Sequence, residues 1–169
     1  MSPVDQKALE ALAAEVGTLL LANGQKLATA ESCTGGWVAQ CLTAIAGSSA
    51  WFERGFVTYS NEAKREMLGV ELATLDAHGA VSEATAAAMA AGALRHSRAD
   101  WALSITGIAG PDGGSPGKPV GTVCFGWAGS EADVEVDTRH FAGDRETIRL
   151  QSVDFALKGI LQRAIVLKA

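Results

Sequence analysis

Four short stretches carry residue types able to do covalent chemistry: Ser32-Cys33 before Thr34-Gly35-Gly36, Tyr59 with Lys64, Thr106 before a glycine- and proline-dense loop, and Gly143-Asp144-Arg145. Ser32 is inert until a base takes its proton. Cys33 is the rival nucleophile, since a thiolate is intrinsically more reactive. In extended geometry neighbouring side chains point to opposite sides. If Ser32 faces a cleft, Cys33 faces away and packs. Histidine is the usual base, but His78, His96 and His140 are scattered and read as surface or capping residues, with no metal-ligand spacing between any two. Lys64 can serve instead if it is neutral, as in serine–lysine variants of the catalytic triad. A lysine in the first turns of a helix opposes the dipole and loses its proton more easily. The plain alternative for Lys64 is a solvated surface lysine. Arg145, at a helix start, suits a phosphate through its charge and its fork of donors.

These residues need elements to hold them. Leu27 to Ala30 is small and apolar enough for a buried strand. Apolar residues at Trp37, Val38, Cys41, Leu42 and Ile45 then follow helical spacing, with Gly47 closing the helix. The N–H groups opening that helix point beyond the strand end, and those of Gly35 and Gly36 are the candidate oxyanion donors, Thr34 less so. Ahead of this unit, Ser2-Pro3 reads as the cap of an amphipathic helix that ends at Asn23-Gly24. Phe52 to Tyr59 reads as a second strand. Ser60-Asn61 caps a short helix from Glu62 to Leu68, closed by Gly69, and Glu71 to Ala77 forms another. Ser82 caps an alanine-rich helix running to about His96. Trp101 to Thr106 is a third strand, and the loop from Gly107 to Pro119 is long enough to be a functional rim. Thr122 to Ala128 and Val134 to Phe141 form a hairpin, the latter strand with one wet face. Gly143-Asp144 caps a last helix from Arg145 to about Leu167.

Strands one to three, each followed by a helix or long loop, predict parallel pairing with right-handed crossovers. The expected fold is α/β, with helices on both faces of a five-stranded mixed sheet of order 2-1-3-4-5, strand four antiparallel. A switch point then lies between strands one and three, where ligands bind beyond the carboxyl ends. Ser32, Tyr59, Lys64, Thr106, the loop and Arg145 converge on that one rim.

Bulk properties narrow the reading. The 169 residues carry 48% hydrophobic and 20% charged side chains, as expected of one folded domain spanning 1–169. A net charge of -5 without a basic block argues against nucleic acid or an anionic membrane as partner. No apolar run is long enough to span a bilayer and no signal pattern opens the chain. Three cysteines without a CxxC fit a reducing cytoplasm. Dinucleotide, P-loop and GxSxG fingerprints are absent. Tyr59 and Lys64 are one residue too far apart for a Tyr-x-x-x-Lys pair.

Four motifs carry a family likeness: Ala30-Glu31-Ser32-Cys33-Thr34-Gly35-Gly36, Ala46-Gly47-Ser48-Ser49, Gly55-Phe56-Val57-Thr58-Tyr59-Ser60-Asn61-Glu62-Ala63-Lys64, and Ser104 to Gly114. From about Glu10 to about Leu161 the chain resembles the CinA C-terminal domain family, and in particular its stand-alone nicotinamide mononucleotide (NMN) amidohydrolases. The resemblance implies a three-layer α/β/α sandwich. It implies hydrolysis of the nicotinamide amide to nicotinic acid mononucleotide and ammonia, in pyridine nucleotide recycling. It implies Ser32 as nucleophile and Lys64 as base, with Ser48, Tyr59, Thr106 and Arg145 around the substrate. Tyr59 or Ser48 could relay a proton to the departing ammonia. The expected substrate-binding set is Thr34, Gly35, Gly36, Ser48, Asn61, Thr106, Gly107 and Arg145, with Tyr59 added to the catalytic pair. No metal or cofactor is expected. The expected partners are NMN and further copies of the chain, as in a dimer. The competing reading is a non-catalytic nucleotide-binding or regulatory module using the same cleft. A phosphotransferase is disfavoured by the missing P-loop and acidic metal cluster.

Overall fold

A computed structural model describes residues 4–168. The element order is α1 (Gln6–Asn23), β1 (Leu27–Glu31), α2 (Trp37–Thr43), a 3-10 turn (Ser48–Ala50), β2 (Phe52–Val57), α3 (Asn61–Leu68), α4 (Leu72–His78), α5 (Glu83–Arg95), β3 (Trp101–Gly107), β4 (Thr122–Gly129), β5 (Ala132–His140) and α6 (Arg145–Lys168). The strands form one sheet of order β2-β1-β3-β4-β5. β1 pairs parallel with β2 and β3; β3–β4 and β4–β5 are antiparallel.

Side-chain alternation builds the three layers. Trp101, Leu103 and Ile105 of β3 pack with Leu27 of β1 against α1, α2 and α6. The residues between them are small. Ala28 and Ala30 of β1 and Ala102 of β3 face α3, α4 and α5. Small side chains let the alanine-rich α5 settle onto the sheet, where Ser104 Oγ donates to Ala86 O at 2.6 Å. α5 also presses on the end of α3. A Cβ on Gly92 would meet the Leu68 carbonyl. Gly92→Ala is therefore expected to destabilise the fold by about 1–3 kcal/mol, read as a lower denaturant midpoint with an unchanged slope.

The caps follow local chemistry. Ser60 Oγ accepts from Ala63 N, and Gly69 ends α3 in the left-handed region. Ser82 caps α5 and Gly24 closes α1 as expected. Other features differ from the expectation. Ser2 and Pro3 lie outside the described residues, and α1 begins at Gln6 on Asp5, whose carboxylate accepts from Ala8 N. α2 stops at Thr43, so Gly47 does not close it but precedes the 3-10 turn. β2 ends at Val57, which leaves Tyr59 two residues beyond it. β5, an edge strand, has no buried face, and Val134 and Val136 each stay 36% exposed. Among the described residues no helix is long and apolar enough to cross a membrane, and no three His, Cys, Asp or Glu residues could hold a metal.

Candidate active site

Ser32 is the first residue beyond β1, at the β1–β3 switch point. Its N–H donates to Ile105 O of β3 at 3.0 Å, which fixes the turn to the sheet end. The side chain is 8% exposed. Lys64 reaches it from the first turns of α3, with Nζ 2.9 Å from Ser32 Oγ and 2.8 Å from Thr58 O. Thr58 is itself held by β1, its N–H donating to Glu31 O at 2.8 Å. Lys64 is 1% exposed. Burial pushes its ammonium below the ordinary lysine range, and only the more distant influence of Cys33 opposes this. Among the described residues no carboxylate stands within ion-pair distance of it. The alternative of a solvated surface lysine does not hold.

Ser32 and Lys64 open onto a cavity of about 300 Å³, also lined by Tyr59, Asn61, Thr106, Gly107 and Arg145. The convergence expected from strand order is thus present. Thr106 Oγ1 donates to Ala80 O at 2.7 Å, tying β3 to the segment before α5. Arg145 crosses the mouth. Its guanidinium donates to Gly110 O at 2.7 Å and to Tyr59 Oη at 3.3 Å. Arg145 therefore staples the glycine- and proline-rich loop to the tyrosine, rather than pairing with Glu146 or Asp112.

Ser48 is not brought to this cavity. Its 3-10 turn leads into Trp51, whose carbonyl accepts from Leu27 N at the start of β1. That is the opposite end of the sheet from Ser32.

The expected oxyanion donors also change. Gly35 N donates to Ser32 O at 3.0 Å. Gly36 N donates to the Glu31 carboxylate at 3.2 Å, joined there by Val38 N at 2.9 Å and Ala39 N at 3.1 Å. The opening of α2 is thus occupied by a carboxylate of the chain itself, buried to 1% exposure and further held by Thr34 Oγ1 at 2.7 Å. An anion at a helix N-terminus is the favoured arrangement. Of the amides from Ser32 to Ala39, those of Cys33 and Thr34 have no acceptor among the described residues.

Glu31, Thr58 and Arg149 were not among the expected site residues. A signal existed for two of them. Glu31 shares the β1 face of Leu27 and Thr29, so its carboxylate had to meet whatever helix covers that face. Arg149 stands one turn after Arg145, on the same side of α6.

Residues 9–164 match the model of the CinA C-terminal domain. The chain is 57% identical over 152 residues to the nicotinamide-nucleotide amidohydrolase PncC of Escherichia coli (strain K12), covering 90% of this chain and 92% of that protein. The protein of the same name from Enterobacter agglomerans is 53% identical over 162 residues, covering 96% and 99%. A solved structure, the competence/damage inducible protein CihA from Agrobacterium tumefaciens, superposes with a TM-score of 0.89 at 47% identity, covering 96% of this chain and 98% of that one.

Proposed function

The chain belongs to the CinA C-terminal domain family, and on that premise we propose that it hydrolyses the carboxamide of nicotinamide mononucleotide through Ser32 and Lys64. The observation that carries this reading is the buried contact of 2.9 Å between Lys64 Nζ and Ser32 Oγ. Burial without a carboxylate partner lowers the pKa of Lys64 and so favours its neutral form. A neutral amine has two N–H groups and one lone pair. One N–H is spent on Thr58 O, 2.8 Å away, which leaves the lone pair free to accept from the serine hydroxyl. A base oriented by a third group is the general logic of an activated nucleophile.

The steps then balance. Ser32 Oγ attacks the amide carbon as its proton passes to Lys64. The oxyanion that forms is met by the Cys33 and Thr34 amides. When the intermediate collapses, the carbon–nitrogen bond breaks and Lys64 returns the proton to the departing ammonia. Water next attacks the acyl-Ser32 ester and gives its proton to Lys64. Ser32 recovers a proton as the carboxylic acid leaves. Lys64 supplies every proton transfer in this sequence, so Tyr59 and Ser48 are not required as relays. The test is ammonia release from NMN by the purified chain, with the acid mononucleotide identified by mass. A chain that binds NMN yet releases neither product would be a binding module.

Arg145 at the cavity mouth is assigned to the substrate phosphate. A hydrogen bond to a charged group contributes roughly 1.5–3 kcal/mol. Arg145→Ala is accordingly expected to weaken kcat/KM on NMN by about ten- to a hundredfold, with turnover of nicotinamide riboside, which lacks the phosphate, little changed. Equal losses on both substrates would assign Arg145 to its contacts with Gly110 and Tyr59, and move the phosphate to the Gly110–Gly114 loop.

A further inference from the structure

Two consecutive carbonyls of the nucleophile turn face a single cation. Arg149 of α6 donates from Nε to Cys33 O at 3.0 Å and from Nη2 to Thr34 O at 3.2 Å. Its guanidinium carbon lies 5.2 Å from the Trp37 ring centroid, so the aromatic face backs the same group. From the other side, the Glu31 carboxylate gathers the Thr34 hydroxyl and the amides of Gly36, Val38 and Ala39. The turn is clamped between an arginine that binds its carbonyls and a glutamate that binds its later amides. Of the amides from Ser32 to Ala39, only those of Cys33 and Thr34 are left over among the described residues.

Peptide geometry gives this clamp a consequence. In a trans amide the C=O and N–H bonds point in opposite directions. A cation on the Cys33 carbonyl therefore turns the Thr34 N–H away from Arg149. It also polarises that peptide and makes its N–H a stronger donor. Arg149 is not among the residues lining the Ser32 cavity. It lines a separate open cleft with Trp37, Asp144, Arg145 and Glu146. Its hydrogen bonds to the site run through the carbonyls of the turn.

We propose that Arg149 is a positioning residue for acyl transfer: through the Cys33 carbonyl it polarises the Thr34 amide, and through both carbonyls it fixes the turn whose Cys33 and Thr34 amides receive the oxyanion. This rests on the reading of Ser32 as the nucleophile. Because the oxyanion exists only in the transition state, removing the guanidinium lowers kcat and leaves KM alone. Losing one oxyanion donor outright costs about 10²- to 10³-fold. Losing its orientation costs less, about ten- to a hundredfold on the same scale.

The experiment compares wild type, Arg149→Ala and Arg149→Lys on NMN, with thermal melting run alongside. Arg149→Ala is expected to lose about ten- to a hundredfold in kcat, with KM and the pH profile set by Lys64 unchanged. Because the guanidinium lies in an open cleft, guanidinium chloride well below its denaturing range should restore part of that kcat, and sodium chloride at equal ionic strength should not. Arg149→Lys keeps a charge but cannot span two carbonyls, and its kcat stays low. A folded Arg149→Ala that keeps full kcat, raises KM alone, or gains nothing from guanidinium overturns the proposal. If Arg149→Ala loses its fold, full kcat in a folded Arg149→Lys overturns it equally. Wild-type protein that releases no ammonia would instead sink the amidohydrolase reading on which the proposal rests.

Discussion

Ser32→Ala is expected to remove turnover by about 10⁴-fold or more while binding and melting temperature stay near normal, and Cys33→Ala is expected to keep most activity. The two residues are neighbours on the same cavity wall, so the contrast has to come from their surroundings. Cys33 belongs to the core cluster with Val38, Cys41 and Leu42 and is 7% exposed. Burial pushes its thiol up to about 12, against a smaller opposing influence from Arg149. The nucleophilic form of cysteine is the thiolate, and at neutral pH this thiol is protonated. Its loss removes packing rather than chemistry. Ser32 has the opposite setting, with the buried amine of Lys64 at hydrogen-bond distance from its hydroxyl. Removing Oγ leaves Lys64 with nothing to deprotonate. Steady-state ammonia release on both variants decides the matter, with mass spectrometry of the trapped acyl-enzyme on wild type as a second readout. Activity lost in Cys33→Ala and kept in Ser32→Ala would reverse the assignment.

The frame of this site was legible because it follows from local rules. Ser60 and Gly69 bracket α3, so Lys64 had to lie in its opening turns. The β–helix alternation of the first three strands required parallel pairing, and a parallel sheet with a switch point brings the ends of β1, β2 and β3 together. What was not legible depended on where individual hydrogen bonds go. Gly35 and Gly36 looked like free donors because nothing in the spacing shows that Glu31 folds back onto α2. Arg149 has no reading from the sequence, because nothing in the spacing of α6 shows that it binds the carbonyls of Cys33 and Thr34. Ser48 stands in a motif that carries the family likeness, yet its position ahead of β2 puts it at the far end of the sheet in this chain. Motif content picked out a set of residues, and topology decided which of them share a cavity.

Lys64→Arg is expected to be as damaging as Lys64→Ala, each costing about 10²- to 10⁴-fold in kcat. Arginine keeps the charge and much of the length, but it does not deprotonate in this pH range. If Lys64 acts as a base, charge without a lone pair has no value at this position. The same burial that frees the lone pair sets two pH dependences. The rate rises with pH as the folded Lys64 loses its proton, through a pKa below the ordinary lysine range, and then levels off. Stability moves in the same direction. Between the lowered folded pKa and the ordinary value near 10.4 of the unfolded chain, the unfolded state holds more protons, so stability increases with pH across that window. Below the folded pKa, Lys64 is charged in both states and the full burial penalty applies. Above the unfolded pKa it is neutral in both and the penalty is gone. Lys64→Met has no proton to lose, so its melting temperature should lack this rise. Its advantage over wild type should therefore be largest at the acid side of the window and shrink toward its alkaline end. Melting curves of the two proteins across that range, set beside the wild-type pH–rate profile, test both consequences of one desolvated amine. An active Lys64→Arg enzyme, or parallel stability curves for wild type and Lys64→Met, would mean that Lys64 is a charged anchor for Thr58 O and Ser32 rather than the base.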